Sequence, residues 1–356
     1  MRFIRIPFLC ALILTMALAG IRTAAQNQKP AAAPGSPAAA AGSKDSSTGQ
    51  SPATPSAASG SADENAAVVR MAMRNVQYHL TDRIILHITT LDGKLTQKPG
   101  QIPVFDDKNS FALTVDTATI QLSMTALTND LNDFVFAKPD APIKHLTAST
   151  DGDQLVLKGL LVSKGGVPFE TSGTLAVTPE GMIRVHTTKV KALKLPVKGL
   201  MDLLGVDTAD VLNTKKVEGV TVDKDDLILD PGKILPPPEM KGHLASVDVE
   251  NQAIVLEFKS PEQSEAQTAV TSSCGGRNYL AFKGGSVRFG KLTMSDTDLE
   301  LIDSDPADPF DFAIDHYKDQ LVAGYEKMTR KGGLCVHMPD YNKIRPTSKP
   351  KQQSSK

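Results

Sequence analysis

Apolar residues that recur at every second position constrain this chain more than any other feature. Between about Val76 and Phe258 they form the runs Ile84-Leu86-Ile88, Phe111-Leu113-Val115, Ile120-Leu122, Leu155-Leu157, Phe169-Thr171-Gly173-Leu175-Val177 and Leu227-Leu229. Successive side chains of a strand point to opposite faces, so each run has one face to bury and one to leave in water. Turn sequences at Asp151-Gly152-Asp153, Lys164-Gly165-Gly166 and Pro179-Glu180-Gly181 divide the runs and join them as an antiparallel sheet. A hairpin from His243 to Phe258 around Glu250-Asn251 closes the series, after a break at Pro236-Pro237-Pro238. Such a pattern builds a surface for binding better than it builds a reaction centre.

The period changes twice. Met124, Leu127, Leu131, Phe134 and Val135 fall at three-and-four spacing behind Ser123, which predicts an N-capped amphipathic helix of about three turns. A second helix is predicted from Pro196, with Val197, Leu200, Met201 and Leu204 on one face and Gly205 at its end. Residues 65–259 therefore read as one α+β domain.

The order of these elements carries a resemblance. A strand pair leading into a helix precedes a meander ending in GTLAVTPEGMIRVHTTKVKALKLPVKGLMDLLG, then VEGVTVDKDDLILDP and a closing hairpin. Over roughly Val76 to Phe258 this resembles the bacterial LmeA-like members of the TULIP lipid-binding superfamily. The resemblance implies a curved antiparallel sheet wrapped around an amphipathic helix, with acyl chains held in the groove between them. The residues that would line this groove are Met124, Leu127, Leu131, Phe134, Val197, Leu200 and Leu204. The same stripes also suit a filled core, in which case the domain is a structural or interaction module of the cell envelope with no ligand.

The N-terminus bears on compartment. Arg2 and Arg5, an apolar run from Phe8 to Gly20 and the small residues Thr23-Ala24-Ala25 read as a secretory signal over 1–25. An uncleaved membrane anchor is the competing reading, because the apolar stretch from Ile4 to Ile21 approaches the length of a spanning helix. Cys10 has no small residue before it and is a poor lipid acceptor. Residues 26–64 are almost wholly Ala, Pro, Ser, Gly and Thr, with no Leu, Ile, Val or aromatic side chain to bury. They read as a disordered linker that would span on the order of 35 Å.

Loss of the first 25 residues would leave 36 basic against 40 acidic residues. That balance argues against nucleic acid as a partner and leaves a lipid, a membrane surface or an envelope protein. Lys343, Arg345, Lys349, Lys351 and Lys356 follow the last acid, Asp340. Residues 342–356 read as a solvated basic tail, with an anionic membrane surface as the alternative role.

Beyond Pro261 the character shifts. Strand candidates in NYLAFKGGSVRFGKLTM, an acidic loop from Asp296 to Asp315 and a helix over HYKDQLVAGYEKMTR are expected, the last with Tyr317, Leu321, Tyr325 and Met328 on one stripe. Cys274 and Cys335 flank these elements, and in an oxidising compartment an isolated pair reads as one disulfide. Residues 260–341 are thus expected to be a small disulfide-closed module docked on the main domain.

No catalytic constellation, metal or cofactor is expected. Asp296, Asp298, Asp303, Asp305, Asp308 and Asp311 supply the oxygens that calcium favours, but without the glycine and terminal glutamate of an EF-hand loop. Pro306 and Pro309 suggest a rigid surface loop whose aspartates cap turns. Histidines 79, 87, 145, 186, 243, 316 and 337 are scattered without metal-ligand spacing. Ser286 stands in Gly284-Gly285-Ser286-Val287, which is not a nucleophile elbow, and the Gly-Gly pairs at 275, 284 and 332 read as turns. The absence of Trp leaves no usual platform for sugars. The expectation is a protein that shields acyl chains without bond chemistry.

Overall fold

Strand-forming sequence dominates the described residues, and two mostly antiparallel sheets take up most of them. The computed structural model describes residues 68–97, 101–162, 165–192, 218–223, 226–260 and 269–344, all within one unit spanning Ser59–Lys356. The expected signal, linker and second helix, the last with Val197, Leu200 and Leu204, lie outside the described residues, as does the tail from Arg345 onward.

In chain order the first elements are β1 (Val69–His79), β2 (Ile85–Gln97) and β3 (Phe111–Ser123), then α1 (Met124–Asp130), which runs into a π-helical stretch, Leu131–Val135. Next come β4 (Ile143–Asp151), β5 (Gln154–Leu161), β6 (Val167–Val177), β7 (Ile183–Ala192), β8 (Val220–Asp223) and β9 (Asp226–Leu229). After the short α2 (Pro231–Ile234) follow β10 (Glu239–Lys241), β11 (Leu244–Glu250) and β12 (Ala253–Lys259). The chain continues as β13 (Tyr279–Phe289), β14 (Leu292–Asp303), β15 (Phe310–Ala313), α3 (Tyr317–Ala323), β16 (Tyr325–Met328), β17 (Leu334–Met338) and α4 (Tyr341–Ile344).

The larger sheet has the order β11-β12-β3-β2-β1-β13-β14-β17-β16, with β10 added in parallel to β3 and β15 to β1. The smaller one has the order β4-β5-β6-β7-β9-β8. The larger sheet curls into a half-barrel. Register shifts in the β2–β3 pair, between Ile88 and Thr90 and between Asp92 and Gly93, contribute to that curl, because a bulge bends its strand and increases local twist. Gly93 is required at the second shift, since a Cβ there would strike the Thr114 carbonyl.

The alternation does what its period demands. Leu86, Ile88, Leu91 and Leu95 of β2 and Leu113, Val115, Ala118, Ile120 and Leu122 of β3 join one buried cluster with Val69, Met71 and Met73 of β1. The helix predicted behind Ser123 forms there, and the Ser123 hydroxyl accepts from the Ala126 amide at 3.1 Å. Its Met124, Ala126 and Leu127 enter the same cluster together with Ala148, Leu155, Ile183 and Val185 of the smaller sheet. Full burial of a leucine contributes about 1.5–3 kcal/mol, so α1 is held by this contact more than by helix propensity.

Four expectations are corrected. Residues beyond 260 do not form a module docked on a finished domain: β13 pairs directly with β1 through Arg70–Arg74, and Phe282, Leu299 and Phe310 belong to the main core cluster. The helix over 316–330 stops at Ala323, and Tyr325–Met328 is an edge strand, so the stripe Tyr317, Leu321, Tyr325, Met328 never forms. Gly324 decides this, because a side chain there would collide with the His337 carbonyl across the β16–β17 pair. The acidic loop shrinks to the segment between β14 and β15, since Asp296, Asp298 and Asp303 lie on β14 and Asp311 on β15. Gly284 and Gly285, with Ser286, sit inside β13 rather than in a turn.

The disulfide Cys274–Cys335 is present, with a Cα–Cα distance of 5.9 Å. It ties the approach to β13 to β17 beside the buried Glu300, whose carboxylate accepts from the Ser272 and Ser273 hydroxyls and the Ser273 and Cys274 amides.

Candidate functional site

On the inner face of the curled sheet, β1, β2 and β3 turn Met71, Met73, Tyr78, Leu86, Ile88, Leu95, Phe111 and Leu113 toward one cleft. Leu80, Phe105, Pro238 and Met240 complete the wall, and the free space among these side chains is about 10 Å³, room for roughly one water molecule, so a ligand would have to part them. Phe105 joins the cleft to an aromatic cluster, with ring centroids 5.6 Å from Phe282, 4.5 Å from Phe289 and 5.1 Å from Tyr317. No charged side chain lines the cleft. The Tyr78 hydroxyl is its polar group, and burial pushes that phenol far above its ordinary pKa, so it stays neutral. Such walls offer contact to an apolar chain.

The groove candidates read from the sequence lie elsewhere. Met124 and Leu127 are core residues, Leu131 is partly buried between the two hydrophobic clusters, and Phe134 is 38% exposed. None of the four lines the cleft.

A second, polar site lies where β1 forks. One edge of β1 pairs with β13 as far as Arg74 and with β15 from Val76 onward. Asn75, at φ 50°, marks the division. A fork leaves main-chain groups short of partners, and buried polar groups are costly unless they are satisfied. Asn278 sits beside the fork: its Oδ1 accepts from the Asn75 side chain at 2.9 Å, and its Nδ2 donates to the Asp303 carboxylate and to the Asp308 carbonyl. His79 pairs with Asp311, whose second oxygen accepts from the Asn342 amide at 3.1 Å. Asp340 accepts from the Asp311 amide at 2.9 Å and ties α4 into the network.

Asp303, Asp308 and Asp340 bring carboxylate oxygens within 4.8 Å of one another. That is the spread of an oxygen shell about a calcium or magnesium ion. Lys343 already supplies a positive charge there, 2.8 Å from both Asp305 and Asp340. The Asp340 oxygen that faces Lys343 accepts no hydrogen bond of good geometry; the 2.8 Å contact is an ion pair all the same, and it settles the partner. Burial, with Asp340 and Asp308 nearby, pushes the Asp303 carboxyl up to about 6. Of the six aspartates read as one loop, the structure gathers Asp303, Asp305, Asp308 and Asp311 in this network. Asp340, His79 and the asparagines were not legible, because their meeting depends on a parallel β1–β15 pairing that no local pattern announces. Lys343 is likewise part of this network and not of a solvated tail.

His79 is held by Asp311, and among the described residues its Nδ1 meets no hydrogen-bond partner. His186 pairs with Asp226 at 2.6 Å on an exposed rim of the smaller sheet.

The fold and its cleft define a mostly antiparallel β protein with few helices among the described residues, a curled sheet and one disulfide. No family model, curated protein or solved structure matches the chain.

Proposed function

We propose that this protein binds an apolar ligand of the acyl-chain class in the cleft on the inner face of β1–β3 and shields it from water without bond chemistry. One observation carries the reading: twelve residues converge on the cleft, and none bears a charge. Met71, Met73 and Met240 give the walls adaptable side chains, which suits a site that widens around a flexible chain. A curled sheet with a helix packed against it fits the TULIP-like arrangement that the sequence resembles. The Cys274–Cys335 disulfide fits an extracellular or periplasmic setting, and among the described residues no helix is long and apolar enough to cross a membrane.

Native mass spectrometry and solvent extraction of the exported protein test this. Bound lipid is expected in the wild type, and filling the cleft by Met73→Trp or Leu95→Trp is expected to remove it while the disulfide and circular dichroism stay unchanged. A wild-type protein that carries no lipid and takes up no fluorescent fatty acid would leave the runner-up, a ligand-free structural module of the envelope.

A further inference from the structure

The chain from α3 to β17 ends the larger sheet in an exposed rim. β16 is the terminal strand, bonded to β17 on one edge, and all four of its residues are exposed on both faces. Val322 is 85% exposed, Met328 73%, Tyr325 52% and Leu321 41%. These are four of the seven large apolar side chains that the described residues leave in water, gathered within eight positions. The turn after β16 carries Arg330 and Lys331 and is fixed by main-chain bonds from Thr329 to Gly333 and from Gly332 to Thr329. A further bond runs from the Gly333 amide to the Thr329 hydroxyl. Lys327, at 5.2 Å from the Tyr325 ring, makes a cation–π contact, and none of Lys327, Arg330 and Lys331 has a carboxylate within ion-pair distance among the described residues.

Unpaired cations among exposed apolar side chains, on a chain with more acids than bases, are an arrangement that a purely aqueous surface does not favour. We propose that the β16–β17 hairpin and the end of α3 dock on an anionic phospholipid surface. The hairpin enters edge-on, with Tyr325 and Lys327 on one face of β16 and Glu326 and Met328 on the other; Val322, Tyr325 and Met328 reach the headgroup boundary, and Lys327, Arg330 and Lys331 meet lipid phosphates. A bilayer suits this rim better than an added protein strand does. The edge is only four residues long with a lysine inside it, the means by which sheets discourage strand addition. A second copy suits it no better, since twofold antiparallel pairing centred on Glu326 or Lys327 sets like charges opposite one another. The proposal goes beyond the cleft reading and does not need the cleft to open.

The full chain offers a clean reporter, because it has no Trp. Val322→Trp is expected to show a blue-shifted, bromolipid-quenchable emission with phosphatidylglycerol-containing vesicles and none with phosphatidylcholine alone. Each basic residue near an anionic surface is worth roughly fivefold in partitioning, so Lys327→Gln, Arg330→Gln and Lys331→Gln together should weaken vesicle co-sedimentation by about a hundredfold. All three side chains are exposed, so the fold should persist, checked by an intact disulfide and circular dichroism. The cleft-filled Met73→Trp variant should still co-sediment, which separates failure of this proposal from failure of the cleft reading. Absence of wild-type binding, an unshifted Trp at 322, or a loss of binding that follows Lys349→Gln and Lys351→Gln instead of the hairpin changes would overturn the proposal. So would saturable capture of an acidic peptide with no affinity for vesicles.

Discussion

Asp130 is the residue whose chemistry most opposes its position. It ends α1 almost fully buried, one carboxylate oxygen finds no hydrogen-bond partner, and burial with Asp133 nearby pushes its pKa from 3.8 up to about 7. Asp303 is raised in the same direction, to about 6, chiefly by burial. A carboxyl whose folded pKa lies above its unfolded one holds more protons folded than unfolded across the interval between them. Its contribution is therefore complete below the unfolded value and is lost as pH rises through the folded one. Urea titrations should show stability falling from about pH 4 to about pH 7, and Asp130→Asn should flatten that slope and gain about 1–3 kcal/mol above pH 7. An unchanged slope in Asp130→Asn would place the effect elsewhere. Leu127, by contrast, belongs to the core, so Leu127→Asp would report unfolding before it reported binding.

At the scale of elements, Gly324 separates α3 from β16. Gly324→Ala should cost about 1–3 kcal/mol by overpacking against the His337 carbonyl, read as a lowered Tm with β16 the first segment to lose amide protection. Protection unchanged at Tyr325–Met328 would count against this account. The same boundary shows what sequence can convey. Period-two runs found β2, β3, β5, β6, β9 and the β11–β12 hairpin, and three-and-four spacing behind a serine found α1, because each signal is local. β1 went unread: Ala72 is buried against Val270 and Tyr279 while Met71 and Met73 face the main cluster, so both faces are apolar, and the break at Asn75 disrupts the rhythm. The 316–330 stripe matched helical spacing, but a carbonyl across the sheet overrode it. The cleft was legible only as a surplus of apolar strand faces. Its walls combine β1 with the distant Phe105 and Met240, and sequence spacing does not bring those together.

For the whole molecule, the disulfide closes a loop of 61 residues and should contribute about 4 kcal/mol on the chain-entropy estimate. Cys274→Ser with Cys335→Ser should lower the urea midpoint accordingly with the m-value retained. A midpoint within error of wild type would show that Glu300 and its four donors hold this region without the bond.

The place of β1 at the centre of the larger sheet carries a consequence in time. It is the first described strand to leave the ribosome or the export channel, yet half of its length waits for Tyr279–Lys283 and the other half for Phe310–Ala313. Pairings so distant in sequence are slow to form. Until they do, β1, β2 and β3 present an open apolar edge, the kind of surface that holding chaperones cover and that aggregates when they do not. A nascent chain of this protein therefore has to be kept from its neighbours until almost its last strand has arrived.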